Sequence, residues 1–335
     1  MPMSSYEVVR RAIEFTGPDR LPVRFTALGL SDVHSVGWNQ IGTGDHALAE
    51  TLDEWGCTWR RSEVKNMGQV KGHPQADWDA LARFRWPDPD DRAFYAGMEE
   101  RFAGGEGKYI NTGIFMLLFE RMHALRGFEN TLTDLYWEPD RLASLADRIV
   151  EFDLGIIANI SRRFGRRIHG FSFTDDWGTE RAAFVSRPMW DRFFKPRYRR
   201  IFDAIHAAGW HVWMHTCGKV DALLDSLIEV GVDVVNLQQP TVFGDLAAFG
   251  RRFAGCVCFE SLCDIQQTLP FRDADDIRAE AELLLTHWAT PDGGFILSDY
   301  GDGQAIGVPI EKKQIMLDAF LAADPWSKAS RGTAT

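Results

Sequence analysis

The chain has 335 residues, 45% of them hydrophobic, and a formal net charge of −11. That apolar share supports a packed core and excludes wholesale disorder. The acidic balance excludes non-specific nucleic-acid binding, which needs clustered basic charge.

The opening segment, residues 1–15, reads as an amphipathic helix without the apolar run of a leader. No later stretch approaches the roughly 18 apolar residues of a membrane span. Five cysteines, an odd number in a long chain, argue against a disulfide scaffold. The expected address is the cytoplasm.

In chain order the expected strands are Leu21–Ala27, Gly56–Arg60, Lys108–Phe115, Gly170–Asp175, His211–Cys217, Val232–Gln238, Gly255–Glu260 and Gly293–Asp299. Each is a short apolar run ending near polar or glycine residues. Helical periodicity fills the gaps, clearest over Pro139–Arg163, Arg187–Ala208 and Asp221–Val230. Eight strand–helix alternations predict an α/β fold, a single (β/α)8 TIM-type barrel with insertions. A dinucleotide fold is disfavoured, because Ala27-Leu28-Gly29-Leu30-Ser31 follows the first strand where a glycine-rich fingerprint would stand. The second strand carries the weakest signal. The polar, proline-containing stretch 62–91 after it is expected to elaborate the barrel mouth. One barrel over residues 1–325 and a flexible tail over 326–335 complete the expectation.

In a parallel barrel, functional groups gather at the C-terminal ends of the strands. Those ends are unusually polar here: Thr174-Asp175-Asp176-Trp177-Gly178, His215-Thr216-Cys217-Gly218, Asn236-Leu237-Gln238-Gln239, Cys258-Phe259-Glu260 and Ser298-Asp299-Tyr300-Gly301-Asp302. His215 and Cys217, two apart on a strand, point to one face. Imidazole and thiol together suit Zn2+, which also accepts carboxylate oxygen. Glu260 is the expected third ligand, with Asp299 and Asp302 competing for a fourth place. Cys256 is expected deeper in the barrel as a buried apolar cysteine.

Asp175 and Asp176 lie on opposite faces of one strand end, so one points inward while the other caps a helix. Arg24 sits mid-strand, where an unpaired charge is costly; it either lies beneath a helix or holds a carboxylate in the barrel. Phe115, Phe119, Trp177, Trp213, Gln238 and Tyr300 are candidates for the pocket wall. Asp32-Val33-His34-Ser35-Val36-Gly37 matches the D-x-H-x-x-G pattern of corrinoid-binding modules, but the chain after Gly37 lacks the flavodoxin-like unit such a module needs.

These motifs, in this order, resemble the uroporphyrinogen decarboxylase-like (β/α)8 barrels, a group that includes zinc-dependent methyltransferases working with corrinoid proteins or coenzyme M. The resemblance also rests on Asp53-Glu54-Trp55-Gly56, Phe194-Lys195-Pro196, Gly231-Val232-Asp233, Asp264-Ile265-Gln266-Gln267-Thr268-Leu269-Pro270 and Val308-Pro309. It runs from about residue 20 to residue 322. The R-Q-A-G-R-Y run of decarboxylases proper is replaced by Pro22-Val23-Arg24-Phe25-Thr26-Ala27-Leu28-Gly29. His215 and Cys217 match the H-x-C zinc motif of the methyltransferase branch. Its third ligand, a cysteine after the last strand, is replaced by Asp299-Tyr300-Gly301-Asp302.

The resemblance therefore implies a zinc-dependent methyltransferase or demethylase, moving a methyl group between a small substrate and a thiol or a corrinoid supplied by a partner protein. The alternative is a metal-independent decarboxylase, with Asp175 or Asp176 stabilising a protonated intermediate and Tyr300 or His215 assisting by hydrogen bonding. A non-enzymatic small-molecule binder on the same barrel is the third reading.

Overall fold

The computed structural model describes residues 2–40, 50–61 and 68–327. Among the described residues twelve strands run in chain order: β1 Val23–Phe25, β2 Leu30–Ser31, β3 Val33–Ser35, β4 Glu50–Leu52, β5 Thr58–Arg60, β6 Gln69–Gly72, β7 Tyr109–Ile114, β8 Gly170–Thr174, β9 His211–His215, β10 Val234–Leu237, β11 Cys258–Ser261 and β12 Phe295–Ser298. Strands β1, β12, β11, β10, β9, β8, β7 and β3 are parallel neighbours in that order. Helices cover the outside, as the alternation requires. The architecture is a TIM-type barrel. Among the described residues no helix is long and apolar enough to cross a membrane.

The second barrel strand is not Gly56–Arg60 but β3. After β1 the chain makes no crossover helix. It folds back as the antiparallel strand β2, bends at Asp32 and rises again as β3. Residues 58–60 instead form the middle of a separate antiparallel sheet, β4-β5-β6. The D-x-H-x-x-G match thus falls on a barrel strand.

Asp32 closes the barrel. Its backbone N–H donates to Val23 O at 2.7 Å, and its carbonyl accepts from Tyr109 N at 2.9 Å, tying β1 to β7. Its carboxylate accepts from Val23 N, the Ser5 hydroxyl and both Nη atoms of Arg20, at 2.6–2.9 Å. Burial opposes that charge, but these donors outweigh it and hold the carboxyl below its usual range.

Inside the barrel, strand alternation stacks side chains in layers. Val33, Tyr109, Trp213, Val234, Cys258 and Ile296 share the lower apolar cluster. Residues two further along the same faces, such as Asn236 and Glu260, therefore rise towards the mouth. Cys256 is exposed rather than buried, because the strand begins at Cys258 and leaves it in the preceding turn.

The helix expected over Arg187–Ala208 is two helices, Arg187–Phe193 and Lys195–Ala207. Pro196 enters in the first turn of the second, where its missing N–H costs no helical bond. Residues 62–67 of the expected elaboration lie outside the described residues. The remainder packs on the helix Phe119–Arg126, with Arg126 donating to Gln75 O at 3.0 Å and Gln75 N to Leu125 O at 2.8 Å. Trp326, assigned to the tail by sequence, is buried and its indole donates to Pro291 O at 3.0 Å. The rest of that tail, from 328, lies outside the described residues.

Candidate functional site

A cavity of about 790 Å3 opens at the C-terminal ends of the barrel strands. The strand-end residues Asp176, His215, Cys217, Gln238, Glu260 and Tyr300 line it, together with Arg24 and Phe115. This is where a parallel barrel places chemistry.

On one side of the cavity three donors converge. A carboxylate oxygen of Asp176, a ring nitrogen of His215 and the Cys217 sulfur lie within 4.8 Å of one another. His215 Nε2 stands 3.4 Å from Cys217 Sγ and 3.7 Å from Asp176 Oδ1. Asp176 Oδ1 also accepts from the Cys217 backbone N–H at 2.8 Å, which fixes its rotamer. Strand spacing accounts for His215 and Cys217, and the end of β8 delivers Asp176 beside them.

Asn236 orients the imidazole. Its Nδ2 donates to Glu260 O at 3.1 Å, so its Oδ1 faces His215 Nδ1 at 2.6 Å. Nδ1 must then carry the proton, and Nε2 presents its lone pair to the cluster. Such a partner behind a ligating histidine is the usual arrangement at metal sites. Without a cation, burial and the adjacent Asp176 carboxylate push the Cys217 thiol well up.

Nitrogen, sulfur and oxygen donors on three residues suit Zn2+, leaving a fourth position for substrate, as in catalytic sites. With thiolate and carboxylate both ionised, the charge of a divalent cation is balanced. The donor set fits zinc.

The other expected ligands are engaged elsewhere. Glu260 is held by Arg24, whose Nη1 stands 3.2 Å from Oε1. Asp299 accepts from the backbone N–H groups of Thr26 and Ala27, each at 3.0 Å, and lies 3.7 Å from Lys313 Nζ. Asp302 is exposed and accepts from Ala305 N at 3.1 Å. Among the described residues only Asp176 joins His215 and Cys217.

The two adjacent aspartates have separate fates. Asp175 is fully buried and accepts from the N–H groups of Leu118, Phe119 and Glu120 at 2.7–3.0 Å, capping the helix Phe119–Arg126. It also accepts from the Tyr198 hydroxyl. Burial pushes its carboxyl up to about 6, against the pull of these donors. Trp177 is likewise withdrawn from the cavity: it is fully buried, stacked on Phe119 at 4.3 Å, and donates to Tyr198 Oη.

Two contributors escaped the sequence reading. Glu120, in the first turn of the helix that Asp175 caps, lines the cavity and accepts from the Thr174 hydroxyl at 2.6 Å. Burial, then the charges of Asp176 and Asp175, hold its carboxyl well above the usual range. Its signal was an acid just beyond a strand end. Lys313, from the helix after β12, donates to the carbonyls of Tyr300 and Gly301 and so pins the loop that carries Tyr300. A buried lysine on a distant helix leaves no such local trace.

The family model described as uroporphyrinogen decarboxylase matches residues 112–322. The chain belongs to that family. Its fold is similar to a solved methyltransferase from Methanosarcina mazei, with a TM-score of 0.64 and 15% identity over 95% of this chain and 98% of that one. A D-psicose 3-epimerase solved in the presence of D-fructose aligns at a TM-score of 0.36 and 13% identity, over 70% of this chain and 82% of that one. That second likeness is too weak to carry an argument. No curated protein matches the sequence.

Proposed function

We propose that this member of the uroporphyrinogen decarboxylase family is a zinc-dependent methyltransferase. The observation that carries the reading is the Asp176–His215–Cys217 cluster, with His215 Nε2 freed as a ligand by Asn236. The fold shared with the archaeal methyltransferase is consistent with it.

Asp176, His215 and Cys217 would hold the ion, and when bound it supplies Lewis acidity to a substrate heteroatom. The chain's own residues do the rest. Asn236 keeps the imidazole in one tautomer, and the Cys217 N–H keeps Asp176 aimed at the cluster. Glu120, whose carboxyl burial and the neighbouring aspartates push well above the usual range, would serve as the proton donor at the cavity wall. Trp213, Phe115 and Tyr300 give apolar surface that excludes water from the reacting groups. The methyl acceptor would be a thiol or a corrinoid carried by a partner protein docking at the mouth.

Metal analysis tests the reading. Protein prepared with zinc present is expected to hold about one ion per chain, as a single tetrahedral site does. Cys217→Ser is expected to lose both metal and methyl transfer. Metal-free wild type under those conditions, with transfer intact in Cys217→Ser, would sink it.

A second reading, a metal-independent decarboxylase, is favoured by the acidic cavity wall of Asp176 and Glu120, which would stabilise a protonated intermediate. Turnover of a porphyrinogen by metal-stripped protein would establish it instead.

A further inference from the structure

The cavity wall opposite the metal cluster has a charge pattern of its own. Arg24 is the one cationic side chain among the described lining residues, against the carboxyl groups of Glu120, Asp176, Glu260 and Asp299. That guanidinium is already compensated by Glu260 at 3.2 Å. With Asp299 likewise offset by Lys313 at 3.7 Å, an incoming carboxylate would find no uncompensated cation on this wall.

Gln238 lines the same cavity as the metal cluster and the ion pair. It lies just past the end of β10, two residues beyond Asn236, which is in register with both His215 of β9 and Glu260 of β11. It is half-buried, lines the cavity, and its side-chain amide engages no protein partner among the described residues. A free carboxamide offers a donor and an acceptor together.

Resting on the methyltransferase reading, we propose that the substrate carries, distal to its methyl-bearing atom, a neutral group that both donates and accepts hydrogen bonds, read by Gln238 in the cavity it shares with Arg24–Glu260. A carboxamide or hydroxyl fits this wall and a carboxylate does not.

The test is ligand-observed NMR on the full-length protein, without added metal, using 4-methoxybenzamide and 4-methoxybenzoate. These probes match in size and differ in charge. The amide is expected to bind at least about tenfold tighter, the scale of discrimination a hydrogen-bonding site achieves easily. Gln238→Leu is expected to remove most of that preference, and Glu260→Gln, which leaves the charge of Arg24 uncompensated, to reverse it. Carboxylate binding that equals or exceeds amide binding in the wild type overturns the proposal. So does an unaltered preference in a folded Gln238→Leu protein. If that variant does not fold, an unchanged preference in Glu260→Gln overturns it instead. Binding is read without turnover or metal, so a failure of methyl transfer would leave this result standing, and the reverse also holds.

Discussion

Asn236 Oδ1 accepts the Nδ1 proton of His215 at 2.6 Å, while its own Nδ2 is anchored to the backbone of β11. One amide therefore decides which imidazole nitrogen faces the cavity. Asn236→Leu is expected to lower zinc affinity about 10–100-fold, the range found when the partner behind a ligating histidine is lost. Competition against a chromophoric chelator measures it. Unchanged affinity would show that the imidazole needs no such partner.

Asp175 and Asp176 are adjacent but should fail in different ways. Asp175→Ala strips the acceptor from three backbone N–H groups and the Tyr198 hydroxyl in a fully buried setting. Unsatisfied buried donors cost about 1–3 kcal/mol each, so a loss of roughly 3–5 kcal/mol in urea unfolding is expected after partial relaxation. Asp176→Asn, partly exposed in the cavity, should leave the unfolding free energy from urea titration within about 0.5 kcal/mol of wild type while metal content falls. Equal destabilisation by both would contradict the division of labour.

The contrast also shows what local sequence can reveal. Period-two spacing placed His215 and Cys217 on one face and the two aspartates on opposite faces, and the structure brings the first pair together. Which aspartate turned inward depended on the docking of the helix Phe119–Arg126 under the end of β8, a tertiary event. Glu260 suited a metal equally well on local grounds, but it is held by Arg24, 236 positions away in the chain. The barrel was legible from strand–helix alternation. Its second strand was not, because the chain after β1 reverses as a hairpin arm instead of crossing over through a helix, and β3 is too short to show alternation.

Arg121 and Asp53 form an ion pair at 2.7 Å, with both side chains withdrawn from solvent. Asp53 also accepts from the backbone N–H groups of Trp55 and Cys57 and from the Trp59 indole, so it organises the β4–β5 turn against the barrel helix. Arg121→Leu leaves that carboxylate uncompensated and is expected to cost about 3–5 kcal/mol. Adding Asp53→Asn should recover part of the loss. A double variant less stable than Arg121→Leu would mean that the pair is not the unit being broken.

Glu280, on the helix Ala274–Trp288, is a buried carboxyl whose Oε1 accepts from the Asp264 N–H at 2.8 Å. Burial dominates over that bond and over Thr268, and pushes its pKa up to about 7 from an ordinary 4.5. Between those two values the folded chain holds a proton that the unfolded chain has released. The folded state then binds more protons than the unfolded one, so stability falls as pH rises through this window. Outside the window this group contributes no slope. The raised pKa corresponds to roughly 3 kcal/mol across the whole interval, an upper figure for a group with slight exposure. Glu280→Gln keeps an acceptor for Asp264 and removes the titration. It should therefore match the wild type in urea unfolding at pH about 4.5 and exceed it near pH 8, the gap opening between. A constant difference at all pH values would place the proton elsewhere.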